Sequence, residues 1–176
     1  MIRKILIGVL LALIGIVIYA ATQPANYVVS RSTTINAPAD KIFPYLNNQR
    51  LAEQWGPWKE VDPQAKQIFS GPEAGIGAKA SWDSQGQLGT GSATIVESIP
   101  NQRVRIELEY MRPMAMTQIS DYIIEANGNE TKVTWRVEGI NSLMGRVMGI
   151  FVNMDHIVGS MFEKGLANLK QLSEMG

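Results

Sequence analysis

The chain has 176 residues, and its 16 Lys and Arg balance 16 Asp and Glu, so its formal net charge is zero. This length suits one domain of ordinary size, and the balanced charge argues against a nucleic-acid binder. The sequence has no cysteine and a single histidine, His156. These counts exclude a disulfide framework, thiolate chemistry and a multi-histidine metal site, and no cofactor is expected.

An uninterrupted apolar run (ILIGVLLALIGIVIYAA) occupies residues 5–21, directly after Arg3 and Lys4. As a helix this run is about 26 Å long, the short end of a bilayer crossing. A cleaved signal peptide is the main alternative, but the run is longer than usual and is followed by a poor cleavage site. A buried soluble helix is the third interpretation. We predict that residues 1–22 are a membrane anchor or signal segment and that residues 23–26 are a linker.

The charges beside this run predict its orientation. Arg3 and Lys4 belong on the cytoplasmic side by the positive-inside rule, so the rest of the chain lies on the other side. We therefore expect a single-pass protein of a bacterial inner (cell) membrane with an extracytoplasmic soluble domain, residues 27–176. That remainder carries 14 basic and 16 acidic residues, the ordinary charge of a soluble domain.

The soluble part begins with a strand and two short helical segments. Residues 27–36 are rich in β-branched side chains, which predicts a strand. A helix follows Pro38 and places Ile42 and its apolar neighbours on one side. A further helical turn over residues 51–55 ends at the Gly-Pro pair 56–57.

A run of strands comes next. Alternating apolar and polar residues are typical of half-exposed strands, and they predict strands at residues 65–70, 78–83, 89–99, 103–110, 116–125 and 132–138. Short turns rich in Gly, Pro and Asn separate these segments. The sheet of six or seven strands is therefore predicted to be antiparallel with one exposed face.

The last element changes to helical spacing. A single long helix over residues 143–172 is predicted, with Phe151 and Phe162 on its apolar side and His156 on its polar side. This helix is expected to cover one face of the sheet. Its four glycines lower its helix propensity, so packing must hold it, and they permit a bend or close approach to the sheet.

This order of elements resembles the SRPBCC (START-like) superfamily, specifically the bacterial proteins that are polyketide cyclase/dehydrase-like. The resemblance is carried by Ile35-Asn-Ala-Pro38 with Ile42-Phe43, Trp55-Gly-Pro-Trp58, residues 69–77, Trp82, Val133-Thr-Trp135 and residues 162–169. It implies an α+β helix-grip fold, in which a curved antiparallel sheet wraps a long C-terminal helix, and it implies a cavity between that helix and the sheet. No catalytic residue is carried over, because the superfamily includes carriers, receptors, enzymes and chaperone activators.

The sequence independently predicts that two apolar surfaces meet at this place. The candidate ligand-binding residues there are Trp82, Tyr110, Asp121, Trp135, Met154, Asp155 and Phe162. The apolar members could instead fill an ordinary core. Helical spacing places Asp155 on the apolar side, where it either enters the cavity to meet a ligand or an arginine, or reaches water at the helix edge. Asp121 is expected to face inward, although its neighbours allow the opposite phase. His156 is expected at the surface.

Three functions fit this sequence. The first is a membrane-anchored binding domain for a hydrophobic small molecule or lipid. The second is an enzyme of the cyclase, dehydratase or isomerase kind, in which Asp155 or His156 moves a proton. The third is a non-catalytic interaction module with a solid interior. The geometry between Trp135 and Asp155 is expected to discriminate among them.

Overall fold

The computed structural model describes residues 1–86 and 88–175. Helices and strands follow one another as α1 (Ile2–Thr22), β1 (Asn26–Ile35), α2 (Ala39–Asn47), α3 (Gln49–Ala52), α4 (Trp58–Val61), β2 (Lys66–Ser70), β3 (Lys79–Asp83), β4 (Thr90–Ile99), β5 (Arg103–Arg112), β6 (Met116–Asn127), β7 (Glu130–Ile140), α5 (Leu143–Phe151) and α6 (Met154–Met175). The predicted α+β helix-grip architecture is confirmed. The short helix α4 follows the Gly-Pro break directly and was not predicted.

The seven strands form a single antiparallel sheet in the order β1-β7-β6-β5-β4-β3-β2. The β6–β7 hairpin turns through Gly128 and Asn129, and Gly128 has a φ of +64°, which glycine adopts without steric cost. Because β1 pairs with β7, the first strand of the sheet lies beside the last. The segment that follows β7 is thereby brought next to the end of α1.

The core lies between the inner face of the sheet and the helices α2 and α6. Side chains on neighbouring strands alternate between the two faces, and the inner face contributes Ile95, Val104, Ile106, Ile124, Val133 and Val137 to the buried cluster. Helix α6 contributes Phe162, Leu166 and Leu169. All the buried residues of this cluster lie between residues 29 and 169, so residues 23–176 contain the whole core without α1.

The predicted long C-terminal helix is confirmed as α6, but it begins at Met154 rather than at residue 143, because the chain breaks between α5 and α6. Val152 is extended, with φ −126° and ψ 122°. The side chain of Asn153 then accepts a hydrogen bond from the backbone N–H of His156 at 3.0 Å, which is how an asparagine starts a helix. The break rotates α5 relative to α6, so Phe151 is 69% exposed rather than packed on the sheet.

Helices α1 and α5 pack against each other. Ala20, in the last turn of α1, is fully buried, whereas the large apolar side chains of α1 are exposed. The 21 residues of α1 rise about 31 Å, which matches the hydrocarbon core of a bilayer. By length and composition, α1 is a helix that could cross a membrane.

Candidate functional site

The space between α6 and the centre of the sheet is filled by an aromatic cluster. Phe162 stacks on Trp135 with ring centroids 4.1 Å apart and planes 9° from parallel. Trp55, Trp58 and Tyr122 meet the edges or face of Trp135 in T-shaped contacts at 5.4–5.8 Å. The cavity that the resemblance implies is therefore not at this position. Trp135 and Phe162, both predicted to contact ligand, are core residues here, 2% and 4% exposed.

A second part of the inner face is packed less tightly. Five side chains there are half-buried, namely Tyr27, Trp82, Leu108, Tyr110 and Gln118, and we call them the open row. Strand pairing makes them contiguous. On one side, Tyr27 of β1 and Gln118 of β6 both lie opposite Gly139 of β7, and Leu108 of β5 lies opposite Gln118. On the other side, Tyr110 of β5 and Trp82 of β3 both lie opposite Gly91 of β4. The open row therefore crosses the sheet from β1 to β3.

Two glycines allow the rings of the open row to lie close to the backbone. A Cβ at Gly91 would lie 2.5 Å from the Trp82 ring, and one at Gly139 would lie 2.7 Å from the Tyr27 hydroxyl oxygen. Trp82 also meets Tyr110 edge to face at 5.6 Å, an arrangement that aromatic pairs prefer. Small residues thus hold the aromatic side chains flat against the sheet.

The polar groups of the open row are few and neutral. The Gln118 amide donates a hydrogen bond to the Tyr27 hydroxyl, and the Trp82 indole N–H donates to the backbone carbonyl of Leu88 at 3.1 Å. Burial raises the pKa of Tyr110 to about 12, and the nearby Tyr27 adds to this effect. Both tyrosines stay protonated at neutral pH, so this surface presents rings and neutral hydrogen-bonding groups.

Asp155 lies at the edge of α6 rather than in a cavity. Its carboxylate pairs with Arg31 of β1 at 2.9 Å, and Glu163 pairs with the same guanidinium at 2.7 Å. The hydrogen bond from Arg31 lowers the pKa of Asp155, and the two carboxylates raise the pKa of Arg31. Of the two sequence alternatives, exposure at the helix edge is the one found, with an arginine as the partner.

The expected inward orientation of Asp121 is wrong. Its neighbour Tyr122 contacts the aromatic cluster, so Asp121 points to the outer face of the sheet. There its carboxylate accepts two hydrogen bonds from the guanidinium of Arg105, at 2.8 and 3.0 Å. The pairing raises the pKa of Arg105. Asp121 is thus a buried partner in an outer-face ion pair.

The remaining candidates also lie at the surface. Met154 is 50% exposed at the start of α6, and His156 is exposed in the next turn. Among residues 1–86 and 88–175, no group of three or more His, Asp or Glu side chains could hold a metal ion. The structure leaves Trp82 and Tyr110 together at one surface and separates them from the other predicted residues.

Two open clefts lie beside β2 and β3. One, of about 290 Å³, is lined by residues of α3 and β2, among them Arg50 and Phe69. The other, of about 480 Å³, contains Asp62, Lys66 and Asp83. Ser84 donates a hydrogen bond to Asp62, which lowers the pKa of that carboxyl. Neither cleft lies between α6 and Trp135.

The fold and the inner face define a helix-grip protein of the SRPBCC type, and the family assignment agrees. Residues 27–174 match the family described as polyketide cyclase / dehydrase and lipid transport. The chain belongs to this family, and the resemblance seen in the sequence is confirmed. No curated protein matches the chain.

Solved structures with the same fold come from several bacteria. A Chromobacterium violaceum protein is 14% identical with a TM-score of 0.61, over 84% of this chain and 96% of its own. A hypothetical protein from Helicobacter pylori is 9% identical with a TM-score of 0.63, over 86% and 90%. A Nitrosospira multiformis protein is 16% identical with a TM-score of 0.58, over 82% and 94%. At these identities the likeness shows the fold alone.

Sequence reasoning missed three residues of interest, Tyr27, Gln118 and Arg31. The signal for Tyr27 and Arg31 was present, since both share the alternation of Val29 on the predicted first strand. A charged residue in the apolar phase, Arg31, weakens this signal. Gln118 lies in β6, where apolar residues at consecutive positions left the phase ambiguous.

Proposed function

We propose that this protein is a membrane-tethered domain that binds a hydrophobic small molecule or lipid along the open row. The observation that carries the proposal is the contrast within one sheet face: the open row is half-buried, while the neighbouring aromatic cluster around Trp135 is tightly packed. Aromatic rings with few polar groups are typical of sites that bind apolar ligands. The family's description, which includes lipid transport, supports the same class of ligand.

Tethering by α1 is the second part of the proposal. The helix is long enough to cross a bilayer, and its exposed apolar side chains lack another covering within the described residues 1–86 and 88–175. Arg3 and Lys4 favour a cytoplasmic N-terminus. The domain would then lie on the extracytoplasmic side of a bacterial inner membrane, within reach of lipids.

The test uses residues 23–176, which contain the whole core, and cis-parinaric acid as a fluorescent fatty-acid probe. The wild-type domain is expected to bind it saturably. Trp82→Ala with Tyr110→Ala should raise Kd at least about tenfold, because each buried aromatic contact contributes roughly 1.5–3 kcal/mol. Ile68→Ala is the matched control, since Ile68 is exposed on the outer face of β2.

Two outcomes would overturn ligand binding at this place. One is the absence of saturable binding by the wild-type domain. The other is an unchanged Kd in the double variant, with circular dichroism showing that it is folded. The first result would favour the second candidate function, an interaction module, which the solid packing of Phe162 on Trp135 supports.

A further inference from the structure

Helix α5 is apolar on every side except at Arg146. Its sequence, LMGRVMGIF, has no other charged residue. Met144, Met148 and Phe151 are 63%, 54% and 69% exposed. Exposed apolar side chains scattered singly are ordinary, but a cluster on one element marks an interaction surface.

Arg146 connects this helix to the end of α1. Its guanidinium donates hydrogen bonds to the backbone carbonyl oxygens of Ala21 at 3.1 Å and Gln23 at 3.2 Å. The last carbonyls of a helix lack partners within the helix, and Arg146 supplies one. Because α1 and α5 also pack together, α5 lies at the level where α1 ends.

The tip of the β5–β6 hairpin lies at the same end of the sheet. The four neighbouring strands β1, β7, β6 and β5 all begin or end there, with Asn26 opposite Ile140 and Met116 opposite Tyr110. Met111 and Met114, at the hairpin tip, are 59% and 50% exposed. Apolar side chains from two separate segments therefore lie at the end of the sheet to which α1 is attached.

We propose that α5 and this hairpin tip form a docking surface that lies in the headgroup region of the bilayer beside α1. The inference rests on the proposed tethering by α1. A lipid surface is the expected partner. The hydrogen bonds of Arg146 hold α5 against the end of α1, and α1 is the helix proposed to enter the bilayer. Interfacial helices bury their apolar side chains about 5–10 Å into the boundary between headgroups and acyl chains.

Docking in this way also orients the candidate ligand site. In the open row, Gln118 is two residues from Met116 along β6, and Tyr110 lies opposite Met116 on β5. Both are therefore at the docking end of the sheet. The open row would therefore lie at the end of the sheet nearest the bilayer. An apolar ligand would have a short path between the bilayer and the inner face.

The test uses the full chain in vesicles of phosphatidylcholine and phosphatidylglycerol. The sequence has no cysteine, so single substitutions Met148→Cys and Phe151→Cys can each carry a bimane label. Met175→Cys is the matched control, because Met175 and Phe151 are both 69% exposed. Met175 lies at the far end of α6, about 30 Å along the helix from its start.

Lipids with a nitroxide near the top of the acyl chain serve as quenchers. Labels at residues 148 and 151 are expected to be quenched at least about twofold more than the label at residue 175. Equal quenching at all three positions in a chain that floats with the vesicles would overturn the docking surface and leave tethering intact. A chain that fails to float would overturn both.

A second copy of the chain is the alternative binding partner for the apolar side chains of α5. Strong shielding of residue 151 from a water-soluble quencher, without quenching by the lipid nitroxide, would support that partner and overturn docking on lipid. Met144→Cys repeats the measurement if a label at residue 148 disturbs the fold. Binding of cis-parinaric acid to residues 23–176 is measured without vesicles, so its result is independent of this one.

Discussion

The ring of Trp135 is enclosed by residues that are far apart in the sequence. Phe162 stacks on one face, and Gly165 of α6 lets the helix backbone approach the ring, since a Cβ at that position would lie 2.8 Å from Trp135. The indole N–H donates to the Ser120 hydroxyl at 3.0 Å, so the buried polar group is paired. These contacts explain why the glycine is needed and why the expected cavity is closed here.

Two phenylalanines on the last two helices should therefore differ in their effect on stability. In residues 23–176, Phe162→Ala removes a buried stacked ring and is expected to lower the free energy of unfolding by about 3–5 kcal/mol. Phe151→Ala removes an exposed ring and is expected to change it by less than about 0.5 kcal/mol. Urea denaturation followed by circular dichroism measures both. Similar losses in the two variants would contradict the described helix break.

At the scale of elements, the start of α6 is held to the edge strand β1 by charge. Arg31 lies on the inner face of β1 and pairs with both Asp155 and Glu163. The pairs are partly exposed, so water screens them and each contributes little by itself. Their geometry nevertheless fixes where the helix meets the strand.

The pH dependence of this attachment follows from the lowered pKa of Asp155. Its ordinary value is 3.8 and its folded value is lower, so the pair stabilises the fold above about pH 4. That contribution is lost as pH falls through the folded pKa. Asp155→Asn should therefore lower Tm slightly at pH 7, and the difference from wild type should shrink in acid.

Thermal unfolding of residues 23–176 between pH 2.5 and 7 checks this expectation. Glu130→Gln is the control, because Glu130 is exposed at the β6–β7 hairpin, away from α6. A Tm difference for Asp155→Asn that grows as the pH falls would contradict the assigned sign. The comparison concerns attachment of α6 and carries no claim about ligand binding.

At the scale of the whole molecule, α1 is peripheral to the folded domain. The core cluster lies within residues 29–169, and the contacts of α1 are mainly with α5. Removing residues 1–22 takes away one carbonyl acceptor of Arg146, at Ala21, and leaves the other, at Gln23. Residues 23–176 are therefore expected to fold without α1.

Deletion of residues 1–22 is expected to leave Tm within about 4 °C of the full chain, both measured in the same detergent. A shift of that size corresponds to roughly 1 kcal/mol for a chain of this length. In cells, the truncated chain should move from the membrane fraction to the soluble fraction. A fall in Tm of more than about 10 °C would mean that α1 is part of the folding unit.

The sequence by itself determined the strands, the apolar N-terminal helix and the superfamily. Side-chain alternation depends on strand geometry alone, and in β5 and β7 it identified the inner face correctly. An uninterrupted apolar run likewise predicts a helix without reference to the rest of the chain. Trp82 and Tyr110 were selected in this way, and both lie in the open row.

The tertiary structure decided which side chains of the last helices and of β6 face the sheet. Helical phase accumulates along the chain, so the break at Val152 and Asn153 turned Phe151, which precedes it, away from the apolar side of α6. In β6, apolar residues at consecutive positions allow either phase, and packing of Tyr122 on Trp135 chose the one that turns Asp121 outward. Pattern specifies a local period, but the rotation of one element against another is set only by contacts between residues distant in sequence.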